Sequence, residues 1–176
     1  FNTAGFENRN NPIYANKKQS AANPSGLQTY YAKLVQAAGS VSQFNHPGTT
    51  FGDFYDFTNY SQENDARINL IEVGNGEGAV GSSGYFPSYS YYTRALDKGW
   101  HVAPTNNQDN HKGNWGDANT TRSVILADEL TEESLYDALS NRRVYATEDN
   151  DLSIQYTLNG AVMGSILTEK TENVAI

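Results

Sequence analysis

Asp109-Asn110-His111 and Asn45-His46-Pro47 carry two of the three histidines in this 176-residue chain. Imidazole nitrogen is a common metal ligand, and a carboxylate two residues from a histidine can reach the same ion or bridge two. These residue types therefore point to a metal site. A catalytic metal takes about three protein ligands and keeps an open position, and a two-metal site takes more. The chain can supply few further nitrogen ligands. His101 follows Trp100 inside an expected strand and reads as structural. With no cysteine in the sequence, disulfide scaffolds and thiolate zinc sites are excluded. Each motif also has a plainer reading. Asp109 can close an Asx-turn on its own backbone, and His46 can be a half-buried histidine at a capped strand end.

The elements that would position these residues follow from periodicity. Residues 1–24 read as irregular, being rich in Asn, Pro and Gly. Ser25 is expected to cap a helix reaching Ala38, with Leu27, Tyr30, Tyr31, Leu34 and Val35 on one face and Gly39 as the stop. Val41–Asn45 reads as a strand ending in the His46-Pro47-Gly48 turn, followed by a Phe/Tyr-rich loop. Ile68–Val73 reads as a buried strand entering a flexible glycine loop, 74–78. A helix is expected over Tyr89–Lys98, closed by Gly99, then a strand over Trp100–Pro104 and a long polar loop over Asn106–Gly116. The last elements are a strand at Ser123–Ala127, a helix from the N-cap Thr131 to about Asn141, and a strand at Val144–Thr147. His46 and Asp109/His111 would each lie just after a strand. Sites in α/β folds gather at the carboxyl ends of parallel strands, so two such loops can converge.

From Asp151 the pattern changes. Leu152, Ile154, Tyr156 and Leu158 alternate with polar residues, and Asn159-Gly160 signals a hairpin turn. Residues 1–150 are thus expected to form one α/β unit and 151–176 a β-hairpin, the possible start of a β-rich module.

The formal charge is −8, with no basic stripe, which argues against general nucleic-acid binding. No apolar run approaches the roughly 20 residues that span a bilayer. The Asn, Tyr, Ser, Thr and Gly content with few Lys leans toward a secreted or cell-surface bacterial protein, a cytoplasmic one being the alternative.

The order of motifs resembles the later part of the PHP family, the polymerase and histidinol phosphatase metallohydrolases. The resemblance runs from Phe44-Asn45-His46-Pro47-Gly48 to Met163-Gly164 and includes Ile71-Glu72-Val73-x-Asn75 and Asp109-x-His111. It also takes in Thr121-Arg122-Ser123-Val124, Leu130-Thr131-Glu132-Glu133-x-Leu135-x-x-Ala138-Leu139 and Arg143-x-Tyr145-Ala146-Thr147. It implies an α/β fold, here a partial distorted β/α barrel with the C-terminal hairpin appended. It also implies two or three divalent ions (Zn, Mn or Fe) and hydrolysis of phosphate esters by metal-activated water. On this resemblance His46 is a mid-sequence ligand, Asp109 a ligand able to bridge ions, and His111 a ligand or base. Family members open with His-x-His and further His and acidic ligands, none of which precede His46 here. The chain is therefore expected to be the later part of a longer polypeptide, with its upstream region as partner, or else a degenerate member. By itself it is expected to bind metal weakly and hydrolyse little.

Three further groups have candidate roles. Arg122 could fork onto a substrate phosphate, or be a surface arginine at a strand end. Lys112 and Trp115 flank the metal loop and could line a pocket, or simply anchor that loop. Glu72 lies in an apolar strand, where a carboxylate must be paired or ligating, as a group behind the metal ligands or in an interior ion pair. The substrate would be a phosphorylated small molecule or an oligonucleotide end. The alternative function is a non-catalytic surface or carbohydrate-binding module that stacks sugars on Tyr55, Tyr60, Tyr85, Tyr89 and Tyr91.

Overall fold

Three parallel strands form the frame of the molecule. The structure, a computed structural model, describes residues 2–4, 24–37, 39–50, 52–170 and 172–176. The frame strands are β2 (Val41–Phe44), β3 (Ile68–Asn75) and β5 (Ala103–Asn107). β3 lies at the centre: β2 runs parallel to it along Ile68–Ile71, and β5 runs parallel to it along Leu70–Asn75. β1 (Asn2–Ala4) adds antiparallel to β2, and the short β4 (Phe86–Pro87) adds antiparallel to the end of β3. Residues 2–4 are thus a strand rather than irregular chain, while the rest of the expected irregular stretch up to residue 23 lies outside the described residues. β6 (Arg122–Ile125) and β7 (Val144–Thr147) form a separate antiparallel pair. Its link to β5 runs through a side chain, because Ser123 Oγ accepts from the Asn106 amide at 2.9 Å. Four helices complete the unit among the described residues: α1 (Pro24–Gln36), the one-turn α2 (Gln62–Asp65), α3 (Tyr89–Asp97) and α4 (Glu132–Ser140). The result is a mixed α/β fold with no closed barrel among the described residues.

Alternation along the strands assigns the two faces of the sheet. One face carries Phe44, Ile71, Val73 and Val102 and packs against Leu27, Tyr30, Tyr31 and Leu34 of α1. Those α1 positions follow the i, i+3, i+4, i+7 pattern of a single helical face. Phe54, Phe57 and Trp100 fill the same core; the Phe44 ring centroid lies 4.8 Å from that of Phe54 and 5.0 Å from that of Trp100. The Phe/Tyr-rich stretch after His46 therefore contributes core side chains. The other face carries Val41, Leu70 and Ala103 at its amino-terminal end, covered by Tyr136 and Leu139 of α4. Toward the carboxyl ends of the strands it becomes polar.

Helix ends follow local chemistry. Thr131 Oγ1 accepts from the Ser134 amide at 3.3 Å, as expected of an N-cap. Gly99 (φ 97°) ends α3 in a Schellman arrangement, with Trp100 N–H on Ala95 O and Gly99 N–H on Leu96 O. β5 begins three residues later than the Trp100–Pro104 expectation, because Trp100 turns into the core and the strand extends through Asn106 and Asn107. At the C-terminal end β8 (Thr157–Leu158) and β9 (Ala161–Val162) are the paired strands among the described residues, so the expected alternation over 152–156 does not form a strand. The Asn159-Gly160 turn has positive φ at both residues, the backbone of a two-residue hairpin.

Candidate functional site

Gln43 and Asn45, Glu72 and Asn75, and Asn107 and Asp109 sit at the carboxyl ends of β2, β3 and β5 respectively. With Val41, Ser42, Leu70 and Leu139 they line one cleft of about 330 Å³. Each pair comes from a different strand, and parallel pairing brings the strand ends level: Glu72 is opposite Thr105, and Asn75 is opposite Asn107.

Glu72 is the organising residue. It is 2% exposed. Its Oε2 accepts from the His46 amide at 2.6 Å, and its Oε1 accepts from Asn107 Nδ2 at 2.9 Å. Burial pushes its carboxyl above the ordinary value, opposed by hydrogen bonds from Asn107, Asn75 and the His46 backbone and by the charge of His46. Around it, Thr105 Oγ1 donates to Gln43 Oε1 at 2.7 Å, and Gln43 Nε2 donates to Asn45 Oδ1 at 2.6 Å. A carboxylate in an otherwise apolar strand was a legible signal. Of the four carboxamides around it, Asn45 and Asn75 fall inside quoted motifs without a role of their own, and Gln43 and Asn107 fall in none. Their signal is positional: Asn45, Asn75 and Asn107 stand at or just beyond the ends of three successive parallel strands.

His46 and Asp109 share an uncommon backbone. Their φ values are 31° and 44°, in the left-handed region that side chains other than glycine seldom adopt. His46 also precedes a proline, which ordinarily pushes a residue to extended φ/ψ. Such conformations cost on the order of 1–3 kcal/mol and persist only where the surroundings fix them. At His46 the Glu72 carboxylate on its amide supplies that constraint.

Asp109 lines the cleft; the His46 and His111 side chains lie outside its lining. His46 reaches the cleft through its main chain, by way of Glu72. The His111 side chain is 77% exposed, with Nε2 3.9 Å from Asp109 Oδ1. Two ligands of one tetrahedral zinc lie about 3.3 Å apart at bond lengths near 2.0 Å, so this pair is close to the span of a shared ion. Among the described residues no group of three His, Asp, Glu or Cys side chains is assembled tightly enough to hold a metal. Asp109 and His111 approach each other at the edge of the cleft, and Glu72 shares the cleft with Asp109 alone of the two.

The cations flanking this region are engaged elsewhere. Arg122 Nη1 donates to Asn119 O at 2.8 Å and to Thr121 O at 2.7 Å. Lys112 Nζ pairs with Glu77 Oε1 at 2.6 Å. Among the described residues no Lys or Arg lines the cleft. Trp115 is 76% exposed and donates from Nε1 to Asn110 O at 3.4 Å, anchoring its own loop. His101 is held by Asp65, which accepts from its amide and meets its Nδ1 at 2.7 Å. Of the tyrosines considered for sugar stacking, Tyr85 is buried, Tyr60 packs edge-on against Trp100, and Tyr91 lies beneath Arg94. No family model, characterised protein or solved structure matches this chain.

Proposed function

We propose that this chain belongs to a metal-dependent phosphoesterase of the PHP type, with a partial distorted β/α barrel fold, that hydrolyses phosphate esters. The observation that carries the reading is the convergence of Glu72 and Asp109 in one cleft at the carboxyl ends of parallel strands. It is supported by the backbone constraint at His46 and Asp109 and by the 3.9 Å approach of Asp109 to His111. Divalent ions, when bound, supply water of lowered pKa and neutralise phosphoryl charge. Asp109 and His111 would hold such an ion, and Glu72 would fix the strand ends behind them. His46 contributes through its main chain on Glu72. Two carboxylates and no lining cation would repel a phosphate, so phosphate binding depends on prior cation binding. Arg122, engaged on neighbouring carbonyls, and Lys112, paired with Glu77, would serve at the rim. Substrates would be phosphorylated small molecules or oligonucleotide ends, and the setting a secreted or surface protein of a bacterium.

The test is calorimetric titration of residues 1–176 with Mn²⁺. Weak binding is expected, reduced at least tenfold (about 1.4 kcal/mol) by the double substitution Asp109→Ala/His111→Ala. Inorganic phosphate should bind only when Mn²⁺ is present. Wild-type Mn²⁺ affinity in the double variant would sink the reading.

A further inference from the structure

We infer that a separate cleft of this molecule binds a small anionic amphiphile, a carboxylate with an apolar body, whose charge is met by Arg142. This cleft has a volume of about 380 Å³ and shares no lining residue with the one that holds Glu72 and Asp109, so it stands apart from the metal reading. Small-molecule sites commonly span about 300–1,000 Å³, with an apolar lining and a few placed polar groups. Leu96 of α3 and Ile154, Tyr156 and Ile166 of the C-terminal segment are 41–51% exposed, and all four converge on this cleft. The buried Val102 and Val144 line it too. Single exposed apolar side chains are ordinary, but several gathered into one concave patch mark a binding surface.

Charge complementarity selects the occupant. Arg142 lines the cleft, and among the described residues no Asp or Glu does. The nearest carboxylate, Asp65, is already spent on His101: one oxygen accepts from the His101 amide at 2.7 Å and the other meets its Nδ1 at 2.7 Å. Arg142 reaches Asp65 only at the main-chain oxygen, 3.5 Å from Nη2. Its Nε donates to the His101 carbonyl, so the guanidinium is mounted on a backbone that Asp65 clamps. Nη1 has no hydrogen-bond partner among the described residues. A half-buried guanidinium bonded only to carbonyls keeps its full charge, and its planar fork matches a carboxylate. The backbone adds a second sign. Arg142 follows the Asn141 C-cap of α4 at φ 61°, a position that glycine ordinarily takes. An arginine held there against backbone preference points to a use for its side chain.

Met163, the single methionine of the chain, lines this cleft, so its methyl group is a ready reporter. The test is NMR of the labelled Met163 methyl in residues 1–176 titrated with octanoate, with 1-octanol and with acetate. Octanoate should move the resonance saturably and bind at least tenfold tighter than 1-octanol, which has the same apolar body without the charge. Acetate, which has the charge without the body, should leave it unmoved. Arg142→Met should bring octanoate down to the 1-octanol affinity and leave 1-octanol binding unchanged. Arg142→Gly, which suits the left-handed backbone, should do the same in a chain that keeps the wild-type circular-dichroism spectrum. Equal affinity for octanoate and 1-octanol in the wild type, or undiminished octanoate binding in Arg142→Met, overturns the inference. So does a Met163 shift that depends on protein concentration without octanoate, which would put a second copy of the chain on the cleft.

Discussion

Gly74 shows how closely single residues are fitted around the cleft. From sequence it opens a flexible glycine loop; in the structure it lies within β3, paired with Asn106 on one side and Pro87 on the other. A β-carbon there would sit 2.6 Å from Asn106 Oδ1 and closer still to the Tyr85 hydroxyl. Those two groups are not free to yield. Asn106 Nδ2 donates to Tyr85 Oη at 2.9 Å, and that hydroxyl donates to Glu148 Oε1 at 2.9 Å. Gly74→Ala should therefore force the network apart and destabilise the protein by about 1–3 kcal/mol, the usual cost of overpacking. Urea unfolding monitored by tryptophan fluorescence measures it. A midpoint equal to wild type would show that the network opens without cost. The same residue explains a limit of sequence reading. Glycine between Val73 and Asn75 suggests a loop, and only the side chain arriving from Tyr85 reveals why a strand residue lacks a β-carbon.

Among the elements, the turn after His46 is the least expected. Phe54, Tyr55, Asp56 and Phe57 all have φ between 53° and 56°, a left-handed turn without glycine. Left-handed helical conformation costs roughly 1–2 kcal/mol per L-residue. Burial of Phe54 and Phe57 offsets that cost, as does Arg94, which reaches Asp53 at 3.1 Å and also pairs with Asp56; Lys98 meets Asp56 at 3.2 Å. Hydrogen bonds from Arg94 and then Lys98 hold the Asp56 carboxyl below its ordinary value of 3.8. A depressed carboxylate stabilises the fold above its unfolded pKa, and that contribution disappears as pH falls through the folded value. Arg94→Met should accordingly lower Tm at pH 7, and the gap to wild type should close well below pH 3.8. A gap independent of pH would mean that Arg94 acts through packing on Tyr91 instead. Such a turn is invisible to periodicity. What was legible had a strong local signal: the apolar face of α1, the apolar run of β3, the Thr131 cap and the strand over Val144–Thr147. What was not legible depends on distant partners. The short β1 and β4 form only by pairing with longer strands, and β5 shifts toward its asparagines because their amides bond Tyr85, Thr105 and Glu72. The site divides the same way: Glu72 stands out by polarity alone, but its carboxamide neighbours take meaning only from strand register.

Across the whole molecule, the question is whether residues 151–176 belong to the same body as the sheet. Their change of pattern suggests a β-hairpin, the possible start of a β-rich module, and the segment closes back on the sheet. The Tyr145 hydroxyl in β7 donates to Leu152 O and accepts from the Ile154 amide, both at 3.1 Å. Ile154, Tyr156, Met163 and Ile166 then form one wall of a second cleft, about 380 Å³, whose other wall includes Tyr92 and Val102. Gly164 lies so close to the Arg142 carbonyl that a β-carbon would collide with it, which fixes the hairpin against the end of α4. The apolar wall and this close approach make the segment a docked part of the fold, with Tyr145 as its tether. Tyr145→Phe keeps the ring in the core and removes only the hydroxyl, so about 0.5–1.5 kcal/mol should be lost per hydrogen bond. The loss should be local: trypsin-independent cleavage, for instance by a broad-specificity protease, should accelerate between Glu148 and Tyr156 while Tm falls modestly. Equal cleavage rates in variant and wild type would mean that the apolar wall alone holds the segment, and the hydroxyl would then have no role in docking it.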